Sequence, residues 1–236
     1  MLRLLTFGGL TLQVRNSIIS GVATQRRRVA LFAALAATGE RGMSRDKLLS
    51  VLWPESDDER ARHALAQLLY AQRRELETEE LFLGNKTLRL NPAVMTSDVG
   101  DFQTALAAND LAGALRLYDG RFLDGFHLPD TPAFDHWLED QRSRLTGLAA
   151  GAATTLAQAA NTRGDHAAAA EWWQAASRAD PYRAHFVLGV IAAREAMGDR
   201  ASALQEAVAY QTRLERELEL PVEPEVEAAI VRLRGK

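Results

Sequence analysis

No cysteine occurs among the 236 residues. That absence removes thiol nucleophiles, thiolate metal sites and disulfide staples together, and it suits a reducing compartment such as the cytoplasm. Long apolar runs are also missing. The longest, residues 29–37, is far too short to span a bilayer, and the N-terminus lacks the apolar core and small-residue cleavage site of a secretory signal. Histidine is sparse and dispersed (His63, His127, His136, His166, His185), without HExxH or another ligand spacing. His136 and Asp140 share a helix face and read as a surface contact. No phosphate-binding lysine follows Gly8-Gly9, and neither GxxxxGK[ST] nor GxSxG occurs. Asp165 and Asp199 lie too far apart in sequence for a catalytic dyad and read as helix starters. No catalytic residue, metal site or cofactor is therefore expected, and an enzyme is not expected.

An excess of positive charge is missing too, since 28 Lys and Arg face 31 Asp and Glu. The average hides a split. Residues 1–92 carry 14 bases against 10 acids, whereas residues 93–236 carry 14 against 21. A mildly basic head on an acidic body is compatible with nucleic-acid binding at one end only.

What is present is most informative in residues 57–76. Projected at about 100° per residue, Ala61, Leu65, Leu68, Leu69 and Leu76 fall on one side and must pack inward. Arg60, His63, Gln67, Tyr70 and Arg74 fall within a single arc of roughly 80° on another side, spaced three and four apart. That face is cationic and hydrogen-bonding, with one aromatic and no acid. It suits the DNA major groove; the same pattern also suits a solvated amphipathic helix, and the neighbouring elements decide between them. Asp57, Asp58 and Glu59 stand at the start of this helix, where acids complement its positive end.

Before it, Leu2 to Thr6 and Leu10 to Val14 flank Gly8-Gly9 as a short β-meander, and residues 18–22 could add a strand. Residues 25–37 open with Arg26, Arg27 and Arg28 and continue as an apolar helix. Ser44 caps a second helix that Pro54 stops. After the cationic helix, residues 81–83 and 87–90 flank Gly84-Asn85-Lys86, a tight hairpin with a cationic tip. Strands, three helices and a closing hairpin make a winged helix-turn-helix.

Beyond Pro92 the composition turns alanine-rich and helical. Asp98 is expected to cap one helix, Asn109-Asp110 to start another, and Pro132 to open a long one after a loop anchored by Phe122, Leu123, Phe126 and Leu128. A period of 34 then appears. Gly164-Asp165 recurs as Gly198-Asp199, with Ala169 and Ala203 five residues after each glycine. Ala176 and Pro181 complete the first copy of a tetratricopeptide-like unit, while Tyr210 and Glu215 mark the second as a degenerate terminal one. Small alanines let paired helices approach closely and stack with a concave face. Of Trp172 and Trp173, one ring is expected in the helix-pair core and the other at its rim.

The segment RRRVALFAALAATGERGMSRDKLLSVLWPESDDERARHALAQLLYAQRREL resembles the N-terminal domain of bacterial activators of the antibiotic-regulatory, SARP-like type, whose winged helix is OmpR-like. The match is strongest at Ser44-Arg45-Asp46-Lys47-Leu48-Leu49, Leu52-Trp53-Pro54, Ala61-Arg62 and Arg73-Arg74. The string FLDGFHLPDTPAFDHWLEDQRSRL, with the repeats, resembles the bacterial transcriptional activator (BTAD) domain that follows in the same activators. The chain departs from the family pattern at Ala66, usually basic, and at Gln72, usually apolar. Gln72 lies in the inward arc, so its amide is expected to bond a backbone group of the wing or of the following turn.

The expected fold is mainly α with a small β component: a winged helix-turn-helix over residues 1–92 and an all-α tetratricopeptide-like domain over 93–236. The resemblance implies that residues 57–76 form the recognition helix and that Gly84 to Lys86 tip the wing. The expected function is a cytoplasmic, sequence-specific transcriptional activator on double-stranded DNA. Arg60, His63, Gln67, Tyr70 and Arg74 would face the major groove, with Arg73 beside them. Lys86 would reach the minor groove or its phosphates, and Arg45, Arg26 and Arg27, with Arg28, would hold the backbone. The helical body would serve dimerisation on repeated half-sites, contact with RNA polymerase, or both, with no membrane partner. The chain stops soon after the last repeat, so no further sensor module is expected, although a longer parent is compatible with the sequence. Two other readings stay open: an interaction adaptor whose winged helix no longer binds DNA, and a regulator sensing a small molecule in the repeat groove near Trp172 and Trp173.

Overall fold

A computed structural model of the chain describes residues 2–14, 17–18 and 26–235. The chain forms two compact units, Met1–Leu145 and Thr146–Lys236. In the first, Leu2 and Leu4 of β1 (Leu2–Leu5) face the core while Arg3 and Leu5 lie on the other side, as period-two alternation requires. β1 pairs antiparallel with β2 (Thr11–Val14), which pairs with β3 (Ser17–Ile18). Only Ile18 of the strand expected over 18–22 lies within the described residues, and Gln25 also lies outside them.

The long apolar segment is a core helix. α1 (Arg26–Thr38) buries every residue from Val29 to Ala37. A strand pair follows from the turn at Gly39–Arg41: β4 (Met43–Ser44) pairs with β6 (Thr87–Leu90), which pairs with β5 (Phe82–Leu83). Between them come α2 (Arg45–Leu52), capped by the Ser44 hydroxyl on the Lys47 N–H, and α3 (Asp58–Glu75), capped by the Asp57 carboxylate on the Arg60 N–H. Three helices and a three-stranded closing sheet make the winged helix.

The alanine-rich body does not begin with a helix. Met95–Ser97 form β7, which lies parallel to β1 and completes a sheet of order β3-β2-β1-β7. The helix behind it, α4 (Asp98–Ala107), is capped by Ser97 and not by Asp98. Asp98 has a different task, because its side chain is buried and turned onto the end of β1. Its carboxylate accepts from the Thr6 N–H (2.7 Å), the Thr6 hydroxyl (2.6 Å), the Phe7 N–H (2.9 Å) and its neighbour's Val99 N–H (2.7 Å). A cap needs one acceptor at the rim of a helix; this carboxylate satisfies four donors in the interior.

Residues well beyond position 92 keep packing against the head. The end of α1 leaves carbonyls without helical partners, and Gln103 of α4 and Arg144 both donate to Ala37 O (3.0 and 3.1 Å). Phe7 bridges Phe122, with Phe102 and Tyr118 around it. After α5 (Leu111–Leu117), Arg142 of α6 (Pro132–Thr162) donates to Phe122 O and Leu123 O, pinning the loop whose anchors Phe122, Leu123 and Leu128 are buried. The compact unit therefore runs to Leu145.

The second unit holds the repeats. α7 (His166–Ala179) and α9 (Arg200–Glu217) are capped by Asp165 and Asp199, each after a glycine at positive φ, and α8 (Ala184–Ala196) and α10 (Pro224–Arg234) follow them. Ala169, Ala176 and Ala203 are fully buried. At the position equivalent to Ala176 the buried Tyr210 donates its hydroxyl to Glu223 (3.0 Å). Burial and the Glu223 carboxylate push its pKa up, so it stays protonated. Trp173 is buried and Trp172 half-buried, as expected. Trp173 lies against Gly189, where a Cβ would come within 2.4 Å of the ring.

Asp98→Ala leaves three buried donors of Thr6 and Phe7 without an acceptor. It should cost about 3 kcal/mol or more in urea unfolding. A fragment of residues 1–92 loses Asp98, Gln103 and Arg144 together and should melt without a cooperative transition, whereas residues 1–145 should melt cooperatively in calorimetry.

Candidate nucleic-acid interface

α3 buries Ala61, Leu65, Leu69 and Gln72, with Leu68 and Leu76 half-buried beside them. The opposite arc is open. Arg60, His63, Gln67, Tyr70 and Arg74 are all exposed, and Tyr70, at 67 % of its full accessibility, is the most exposed large apolar side chain among the described residues. An aromatic ring exposed to that degree gains little for the fold. Gln67 Nε2 and His63 Nε2 lie 2.8 Å apart, one helical turn from each other, so the amide and ring orient one another. At the start of the helix, Arg60 pairs with Asp57 (3.2 Å) and Arg62 with Asp58 (3.3 Å). These exposed pairs dilute the positive charge there and are individually weak.

Arg73 lies half-buried, outside the exposed arc. Its guanidinium lies over the Phe82 ring (5.8 Å), and its Nε is buried. It attaches the end of α3 to the wing, while its neighbour Arg74 faces solvent. Arg28 likewise forms an ion pair, with Glu75. Gln72 does find a backbone partner, but not in the wing or the following turn: its Nε2 donates to Arg28 O (3.0 Å) at the start of α1. A polar residue in the inward arc thus adds a hydrogen bond to a carbonyl in the first turn of α1.

The wing carries its cation as expected. Gly84 stands at φ +87°, and a Cβ there would come within 2.0 Å of Thr87 O, so the turn needs glycine. Lys86 is exposed at the tip. Arg45 joins it from α2: its N–H donates to Lys86 O (3.0 Å) and its Nε to Asn85 O (2.7 Å). Arg26 and Arg27 lie apart, at the start of α1. Arg26 meets the His127 ring nitrogen (3.0 Å) and carbonyl (3.3 Å), and Arg27 lies over Trp53 (6.0 Å). Neither these contacts nor that of Arg45 with the wing was legible in spacing, since each partner is distant in sequence. Among the described residues no cluster of three or more His, Asp or Glu could hold a metal ion, and no helix is long and apolar enough to cross a membrane.

A winged helix followed by stacked helical repeats defines the class of arrangement. Residues 93–234 match the bacterial transcriptional activator domain, and the chain belongs to that family of transcriptional regulators. Among solved structures, Mycobacterium tuberculosis EmbR, in complex with a low-affinity phosphopeptide, is similar with a TM-score of 0.64 and 22 % identity. That likeness covers 98 % of this chain and 64 % of the EmbR chain, so the present chain spans under two thirds of it. No curated protein matches the chain.

The two adjacent arginines should separate in mutation. Arg73→Ala should lower stability by roughly 1 kcal/mol through the lost ring contact, and Arg74→Ala should leave thermal melting unchanged.

Proposed function

We propose that the chain is a sequence-specific DNA-binding activator that reads the major groove with the exposed face of α3. The observation that carries this reading is the arc of Arg60, His63, Gln67, Tyr70 and Arg74, all exposed and free of core packing. Guanidinium, amide and imidazole groups at helical spacing match base-edge donors and acceptors, and the ring of Tyr70 offers apolar contact. Arg45 and Lys86 sit together on α2 and the wing, where they suit phosphate contacts that fix register without reading sequence. Arg26 and Arg27 extend the cationic surface, and Arg73 supports it by tying α3 to the wing.

In this reading the protein acts in the cytoplasm, and its helical repeats serve contact with RNA polymerase, pairing of two copies on adjacent half-sites, or both. The paired arginines near the start of α3 suit a site where specificity depends on Gln67, Tyr70 and Arg74 more than on bulk charge.

Mobility shifts on DNA from the region upstream of its own coding sequence, repeated across salt concentrations, test the assignment. Gln67→Ala and Arg74→Ala should each weaken specific binding by about 1–3 kcal/mol with unchanged melting. Unchanged affinity in both would remove α3 as the reading element. Lys86→Ala should weaken all sequences alike and reduce the salt slope by about one; a changed sequence preference would show the wing reading bases or groove shape instead.

A further inference from the structure

A cavity of about 360 Å³ lies within the first unit, behind the wing sheet. Its walls come from the end of α1 and the Gly39–Arg41 turn, from β6 and β7, and from α4. The lining divides by chemistry. Leu90, Pro92 and Ala107 contribute apolar surface, whereas Arg41, Arg89 and Glu40 bring charge. Asp101, the other acid there, is already held by Arg3 (2.9 Å). Among the described residues, the side chains of Arg41 and Arg89 have no ion pair or hydrogen bond.

A further cation stands close to Arg41. Arg144, tied to the end of α1 through Ala37 O, has its pKa lowered by burial first and by the charge of Arg41 second. Like charges gathered near a partly apolar cavity without carboxylate partners favour an anionic guest. Two guanidiniums against the one unpaired carboxylate of Glu40 suit a single negative charge better than a polyanion such as a nucleic acid. The volume lies in the range of small-molecule sites, which combine apolar walls with a few placed polar groups.

We propose that this cavity binds a small amphipathic carboxylate, its apolar chain against Leu90, Pro92 and Ala107 and its carboxylate at Arg41 and Arg89. The guest would touch β6, the central strand of the wing sheet, and the end of the core helix α1. The proposal does not depend on DNA binding, and its test uses no DNA.

Octanoate is the probe, with octanamide as its uncharged counterpart and acetate as an anion without a tail. Octanoate should raise the melting temperature of the full chain in a saturable way, and the other two should not. Hydrogen exchange with octanoate should slow at residues 36–41 and 88–90. Arg41→Ala and Arg89→Ala should each weaken octanoate binding at least fivefold, measured by ligand-observed NMR, with unliganded melting near wild type. Ala107→Trp, which places a ring from α4 at the exposed edge of the cavity, should weaken it similarly. The proposal is overturned if octanoate has no effect, if octanamide matches it, if the slowed exchange lies only elsewhere, or if the three variants bind octanoate like the wild type.

Discussion

One buried carboxylate ties the start of the chain to its middle. Asp98 takes both N–H groups that continue from β1 and the hydroxyl between them, across a sequence separation of more than ninety residues. Backbone donors in an interior have no water to turn to, so the strand end, the sheet and α4 form together or leave costly vacancies in the hydrogen-bonding. The remaining links share that logic. Arg144 and Gln103 both donate to the Ala37 carbonyl at the end of α1, and Phe122 closes on Phe7. The winged helix stands on a platform supplied by the family domain that follows it in sequence.

Local patterning revealed much of this. The caps at Ser44, Asp57, Asp165 and Asp199 and the turn at Gly84 were legible because each is set by a side chain acting on backbone within a few residues. The alanines of the repeats were legible for the same reason, since a period needs no partner to be seen. What escaped was long-range. The strand Met95–Ser97 is too short to show alternation, and its pairing with β1 is parallel and distant in sequence. Asp98 reads locally as a cap because nothing near it discloses the donors of Thr6 and Phe7. Gln72 reads as needing an acceptor nearby, yet its acceptor belongs to the first turn of α1.

The candidate interface shows the same division. The exposed arc of α3 follows from helical geometry alone, so all five side chains fall where the projection puts them. Arg73 and Arg74 cannot be told apart by composition. Only the position of Phe82, brought in by the wing, gives one of them a ring to cover and leaves the other in solvent. Proximity of a cation to the exposed arc of α3 is thus a poor guide to whether its side chain is free.

The separation of the outer arc of α3 from its inner one has a consequence for how such a protein can change. Gln67, Tyr70 and Arg74 lie outside the core of the unit. Exposed positions of this kind accept substitution within a few tenths of a kcal/mol. Descendants of this chain can therefore drift at those sites while Asp98, Gly84 and Gln72 stay put. Whatever that face meets, its preferences can be rewritten without passing through an unfolded intermediate, which leaves room for families of paralogues to part ways in target before they differ in architecture.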